Sequence, residues 1–318
     1  MPLYVKDSGS WETATEVYIK NNSLWTRCKE VYIKEDGQWK SLLFEDATET
    51  ITTTGTGTFD VPQGAYRAIV TIAGGNGGDG GFDSRAGGVG GKGAEVTFVI
   101  DVEPFTTFSY NIGGDGQDGA DSATYSTPSN GGSGYSDGGN GGRSGQVGTS
   151  GGGGGGGGSS SISDPDGNLL IVAAGGGGAG GAGNQHYIGS SKTKGGDATY
   201  IYDGYDGYFF IGSSAPGDIG RNCQAADGGG GGGGGGGVAI NRSELWDVIY
   251  SGARGGLYAD EVRQPGGTIT GWSHYDSDGQ GGEGGFSYYN REYVSDVNMA
   301  LNTSTDGSIN ITWLQDRF

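Results

Sequence analysis

Glycine falls in triplets along most of this chain. From Gly74 the sequence runs GGN-GGD-GGF and from Gly87 GGV-GGK, and the spacing returns at Gly139/142/145/148/151, Gly177/180/183 and Gly279/282/285. A three-residue period belongs to an extended left-handed helix of the polyproline II type, with three residues per turn and about 3.1 Å per residue. Such a helix has no internal hydrogen bonds, so each buried N–H and C=O must find a partner on a neighbouring segment. Glycine lets the neighbours come that close, with weak Cα–H···O contacts adding to the lateral bonds. Collagen is excluded in practice: the chain has only 7 prolines, and its triplets lack proline-rich X and Y positions.

A flexible Gly/Ser linker is the bland alternative for such composition. Against it, the runs alternate with β-like apolar segments at Arg67–Ala73 (RAIVTIA), Glu95–Val102 and Leu169–Ala174. Against it too, 6 Trp, 18 Tyr and 10 Phe are spread through the chain, and disordered segments lack such residues. The expected fold class is therefore mostly β and irregular. A small N-terminal β-hairpin repeat module (residues 1–45) should precede a glycine-rich bundle of packed polyglycine II-type helices with short strands (residues 46–318). With 75 glycines and 32% apolar residues, a conventional large oily core is not expected. Backbone hydrogen bonds and aromatic plugs should carry the stability, against the entropy that glycine loses on folding.

The N-terminal repeat is ungapped. LYVKDSGSWETATE from Leu3, VYIKNNSLWTRCKE from Val17 and VYIKEDGQWKSLLF from Val31 align with a 14-residue period. Tyr4/Tyr18/Tyr32 and Trp11/Trp25/Trp39 fall in register. Each unit reads as a short strand, a turn of Asp/Asn/Ser/Gly type and a second strand entered by the Trp. Three such hairpins could stack, burying aromatics that one could not. Further on, glycine runs span Gly74–Gly81, Gly87–Gly93, Gly113–Gly119, Gly131–Gly158, Gly175–Gly183, Gly228–Gly237 and Gly279–Gly285. The only helix expected is a turn or two at Ser243–Ile249 with Ser243 as N-cap, and Gly307–Trp313 alternates like a closing edge strand.

Charge narrows the partners. The formal net charge is −19; residues 1–48 carry 6 basic and 8 acidic side chains, leaving 12 and 29 in the remainder. Nucleic acid and anionic membrane surfaces are thus not expected partners, since both need clustered Lys and Arg. Cys28 and Cys223 offer no disulfide framework, though one long-range bridge is open to them. The N-terminus reads as neither a signal peptide nor a membrane span, so synthesis in a cytosol without export by the signal-peptide route is expected.

Catalysis finds little support. The two histidines, His186 and His274, have no metal-ligand spacing, and no GxSxG or Walker-type motif occurs. No enzyme activity and no cofactor are expected. Gly113–Asp121 (GGDGQDGAD) does match one copy of the calcium β-roll repeat, which leaves a structural calcium near Asp115, Asp118 and Asp121 as a minor alternative to a solvated acidic loop. Aromatic clusters are the better candidates for binding: Tyr200–Ile211 (YIYDGYDGYFFI), Gln185–Ile188 (QHYI), Gly271–Tyr275 (GWSHY) and Phe286–Tyr289 (FSYY). Tyr and Trp among Ser, Gly, Asn and Asp make adaptable recognition loops, and their rings stack on sugars; packing within the bundle is the other use of such rings.

TTTGTGTFDVPQG…AIVTIAGGNGGDGG, LLIVAAGGGGAGG and the terminal GSINITW resemble the glycine-rich domain of bacteriophage tail-fibre and tail-tip proteins. The likeness covers about Glu49–Phe318. A similar LIVAAGGGG phrase occurs in the extracellular glycine-rich region of the anaplastic lymphoma type of receptor tyrosine kinases, and the VYIK…W repeats resemble repeats of phage tail proteins. The resemblance implies a polyglycine II bundle of the T-even-like tip-adhesin type whose loops bind a host surface glycan or outer-membrane protein. Carried over by position, the receptor-contact candidates are His186, Tyr187, Tyr205, Tyr208, Phe209, Trp272, His274 and Tyr275. Tyr4, Trp11, Tyr18, Trp25, Tyr32 and Trp39 would attach the chain to another tail protein, and the virion tail is the implied location. The N-terminal hairpins do not match the tip adhesin's own attachment domain. A structural virion component without receptor binding is the alternative. An ice- or matrix-binding protein is a third reading, disfavoured by the irregular aromatic insertions.

Overall fold

In the computed structural model the described residues are 4–7, 10–13, 17–21, 23–28, 32–35, 38–41, 47–83, 85–121, 127–144, 150–183, 193–202, 214–220, 232–238, 240–241, 250–251 and 280–314. The helix expected at Ser243–Ile249 lies outside them.

The 14-residue repeat folds as three hairpins: β1 (Tyr4–Asp7) with β2 (Ser10–Thr13), β3 (Tyr18–Asn21) with β4 (Leu24–Arg27), and β5 (Tyr32–Glu35) with β6 (Gln38–Ser41). Their registers are identical, so Lys6, Lys20 and Lys34 lie opposite Trp11, Trp25 and Trp39. Each hairpin is a separate two-stranded sheet, with no strand of one hydrogen-bonded to a strand of another. In the second hairpin Tyr18, Ile19, Leu24 and Trp25 remain 47%, 57%, 72% and 68% exposed.

Next come β7 (Ala47–Ile51), β8 (Gly55–Asp60), β9 (Arg67–Ala73), β10 (Ala94–Asp101), β11 (Thr107–Ile112), β12 (Ser160–Ser163) and β13 (Leu169–Ala173). β14 (Tyr200–Tyr202) and the two-residue β15 (Ser214–Ala215), β16 (Gly237–Val238), β17 (Ile240–Asn241) and β18 (Tyr250–Ser251) follow. The chain closes with β19 (Phe286–Tyr289), β20 (Val294–Leu301) and β21 (Ser308–Leu314). One sheet has the order β20-β10-β9-β21-β7 and another the order β14-β19-β13-β12-β11-β8; only β14 and β19 run parallel.

The two sheets face each other across an apolar core, built although no conventional large oily core was expected. Val70 and Ile72 of β9, Val96 and Phe98 of β10, and Ile309, Ile311 and Trp313 of β21 meet Phe59, Phe108, Ile162 and Leu170. Apolar residues are scarce overall but sit at alternate strand positions, and one face per strand is enough for a sandwich. Phe59 stacks on Phe108 at 5.4 Å between centroids and meets the edge of Trp313 at 5.9 Å.

From one end of this sandwich the strands continue as glycine runs. β9 leads into Gly74, β11 into Gly113 and β13 into Ala174, while other runs return into β10, β12 and β19. Among the described residues the runs, apart from Gly237 in β16, carry neither helix nor strand; they are bonded sideways with a period of three. Gly75, Gly78 and Gly81 donate to the carbonyls of Gly158, Gly155 and Gly152, and Gly151, Gly154 and Gly157 donate to Ala182, Ala179 and Gly176. Gly88, Gly91 and Ala94 donate to Gly180, Gly177 and Ala174 in the same rhythm, at 2.8–2.9 Å.

Residues 151–158 occupy the interior of this lattice. They also donate to Ala120, Gln117, Gly114, Gly142 and Gly139, and accept from Gly132, Gly233 and Gly236. Neighbours therefore lie on several sides, and at most positions of the segment a Cβ would overlap a neighbouring backbone. A methyl on Gly154 would run into the Gly78 carbonyl, one on Gly155 into that of Asn130, and one on Gly156 into that of Gly234. Three successive residues thus face three different runs, which is why 154–156 are all glycine. Outer runs have one free direction, and their non-glycine residues recur there: Asp79 and Phe82; Ala86, Val89 and Lys92; Asp137, Asn140 and Arg143 are all exposed.

Candidate functional site

At the lattice surface an N–H pointing outward has no further run to receive it. Short carboxylate and amide side chains fill that role. Asn76, Asp79 and Phe82 donate their backbone N–H groups to Asp115, Asp118 and Asp121, at 2.6, 2.8 and 2.8 Å. Gly90 donates to Asp79 Oδ1 at 2.7 Å, Gly131 to Asn140 Oδ1 at 2.9 Å, and Lys92 to Asp197 Oδ1 at 2.8 Å. The segment read as a solvated acidic loop is thus a hydrogen-bonded run whose carboxylates accept amide protons from its neighbour. Among the described residues no group of three or more His, Cys, Asp or Glu is placed to hold a metal ion. Part of the acidity of the glycine body therefore has a structural use, since charge-assisted bonds to N–H groups are stronger than neutral ones.

Two of these carboxyls are displaced in opposite directions. Burial pushes Asp115 above the ordinary carboxylate value, against hydrogen bonds from Asn76 and Asp306. Burial also pulls Asp197 upward, but bonds from the Lys92 amide and from Lys194 Nζ at 2.9 Å outweigh it and leave Asp197 lowered. A lowered carboxyl stabilises the fold above its unfolded-state pKa, and that contribution is lost as pH falls through the folded-state value. Asp197→Asn is therefore expected to destabilise the protein at neutral pH but to cost progressively less toward about pH 3. Urea midpoints of both proteins across that range check it; a gap that widens on acidification would contradict the assignment.

The aromatic candidates divide by position in the chain. His186, Tyr187, Tyr205, Tyr208, Phe209, Trp272, His274 and Tyr275 lie outside the described residues, as does Cys223, whereas Cys28 is a free thiol. The described residues that flank segment 184–192 meet at the lattice end remote from the sandwich, where the Thr193 carbonyl accepts from Gly180. Segment 203–213 instead follows Tyr202, whose strand β14 runs parallel to β19 toward the open end of the sandwich. The FSYY cluster is a strand, β19. Its Phe286 and Tyr288 are buried with Val172 and Val238, so these rings pack between layers. In the N-terminal hairpins Lys20 Nζ stands 5.7 Å from the Trp25 ring centroid, a cation–π distance on an exposed face. Tyr4, Trp11, Tyr32 and Trp39 occupy the matching strand positions of the other two hairpins.

Sequence reasoning missed a cleft at the open end of the sandwich. It measures about 310 Å³ and is lined by Arg67, Val99, Asp101 and residues 291–295. Its residues come from strand ends and one turn that share no motif, so no linear signal marks it. Comparison with protein-family models and with curated proteins finds no match to this chain.

Proposed function

We propose that this chain is a bacteriophage tail-fibre or tail-tip adhesin, in which a stiff glycine lattice separates an anchoring module from loops that bind a host surface glycan or outer-membrane protein. The glycine runs are read as polyglycine II helices. Their three-residue lateral bonding and the three-direction crowding around residues 154–156 support that reading. A backbone φ/ψ near about −75°, +145° throughout 151–158, measured experimentally, is the expected result.

The observation that carries the adhesin reading is the polarity of the body. Ala47, where the chain arrives from the hairpin repeats, pairs with Trp313, and Leu314 pairs with Arg67, so both ends of the described body lie at the open end of the sandwich. The tips of the glycine runs point the other way. An anchor at residues 1–45 then turns the run ends at Gly183 and Thr193 outward. Exposed Tyr18 and Trp25 suit a module whose aromatic face is closed by another tail protein. Affinity would arise from several copies per particle, each contact being weak alone.

Labelled full-length protein should bind a susceptible bacterial strain saturably and compete with phage adsorption. Replacing His186 and Tyr187 by Ala should abolish that binding at unchanged melting temperature, whereas Tyr205→Ala with Tyr208→Ala should weaken it less. Absence of binding to every strain that the parent phage infects, with co-assembly through residues 1–45 intact, would make the chain a structural virion component instead.

A further inference from the structure

We propose that the cleft at the open end of the sandwich is a binding subsite for a neutral saccharide. Its walls belong to the edge β20, to β10 and β9 beside it, and to the turn that precedes β20. Arg67 and Asp101 are cross-strand partners at the ends of β9 and β10, and Val99 stands opposite Ser295. The turn at 290–293 closes the other side and is held from the core: Asn290 donates to the Leu170 carbonyl at 2.8 Å, Tyr293 and Val294 donate to the Asn290 carbonyl at 3.1 Å, and Glu292 donates to Asn290 Oδ1 at 3.1 Å. Tyr293 is thus carried on a braced turn, and it remains 46% exposed.

Three features point to a sugar rather than to a bland surface hollow. The volume, about 310 Å³, lies at the lower end of small-molecule sites and suits a ring or two. The lining combines one half-exposed aromatic ring with planar polar groups: the guanidinium groups of Arg67 and Arg291 and the carboxylates of Asp101 and Glu292. Aromatic rings stack on the C–H faces of sugars, while planar donors and acceptors match pairs of vicinal hydroxyls. Those four charges also cancel, in a protein whose net charge is −19. With Asp296 beside Arg67 the wall carries one carboxylate more than it has guanidinium groups, so an anion is repelled here as it is by the whole body, and a neutral polar ligand is favoured over it.

The backbone is shaped at the same place. The β10–β20 register shifts between Thr97 and Val99, so that β20 carries an extra residue, and Asp296 there takes a φ of 51°. Bulges of this kind bend an edge strand and re-aim its side chains, and left-handed conformations at non-glycine residues concentrate at functional sites. Arg67 Nη2 lies 3.8 Å from Asp296 Oδ2, which ties the bulge to the cleft wall. The proposal does not rest on the adhesin reading, because the cleft lies at the sandwich end opposite the lattice tips.

The test is an array of neutral and anionic oligosaccharides probed with labelled full-length protein, followed by titration of the best binder. Binding of neutral members is expected, with about a tenfold loss of affinity for Tyr293→Ala and for Arg291→Ala, and near-complete retention for Tyr293→Phe. Equal thermal midpoints of the variants establish that folding is not the cause, and His186→Ala with Tyr187→Ala should leave this binding intact. No saturable binding, binding confined to anionic members, or binding indifferent to Tyr293→Ala and Arg291→Ala would each overturn the proposal. Cell adsorption is read separately, so its failure is distinguishable from failure here.

Discussion

Gly155→Ala is expected to cost about 3 kcal/mol or more of stability, whereas Gly114→Ala should stay within about 0.5 kcal/mol of the parent. Both positions lie in glycine runs and both substitutions add one methyl. At Gly155 the methyl would overlap the Asn130 carbonyl, inside a segment buried on every side. Relief would require separating two runs and breaking the bond from Gly155 to Gln117, together with its neighbours in the three-residue rhythm. At Gly114 the nearest heavy atoms are Thr54 Cγ2 at 3.7 Å and the Ser133 carbonyl at 4.0 Å, ordinary contact distances. Alanine there also restricts the unfolded chain, an effect that favours the folded state by a few tenths to about 1 kcal/mol. Urea denaturation of the two variants measures the contrast. Equal losses would mean that glycine serves here by composition rather than by location.

Trp313→Ala is expected to cost about 3–5 kcal/mol. Trp313 is 2% exposed and bridges the sheets, its edge against Phe59 and its strand between β9 and β7. Removing the indole opens a large cavity in a core that has few apolar residues to collapse into it. The lattice should suffer as well, because the runs leave directly from the strands that Trp313 clamps. One cooperative transition at lower denaturant is therefore expected. Two separated transitions would show that sandwich and lattice fold independently.

Some of this was legible in the linear chain. RAIVTIA at Arg67–Ala73 marked β9 to the residue, because a short, β-branched apolar run that stops at glycine has few other readings. The hairpin repeat was equally open, since its Lys–Trp partners recur every fourteen residues. β11 (TFSYNI), β12 (SSIS) and β20 (VSDVNMAL) were not. Ser160 and Ser161 are buried because packed runs surround them, and that burial leaves no hydrophobic trace. FSYY was readable as an aromatic cluster but not as a strand, because ring-rich segments serve packing and recognition alike.

By itself the sequence determined the three-residue glycine rhythm, the repeated hairpins and the best strands, for each is a short-range pattern enforced by local backbone geometry. Which run lies at the centre, which carboxylates receive a neighbour's amide, and which strand ends converge on the cleft were decided only by the tertiary structure. Those properties depend on partners far apart in the chain, such as Asn76 with Asp115 or Gly155 with Asn130, and no local spacing records where two runs will meet.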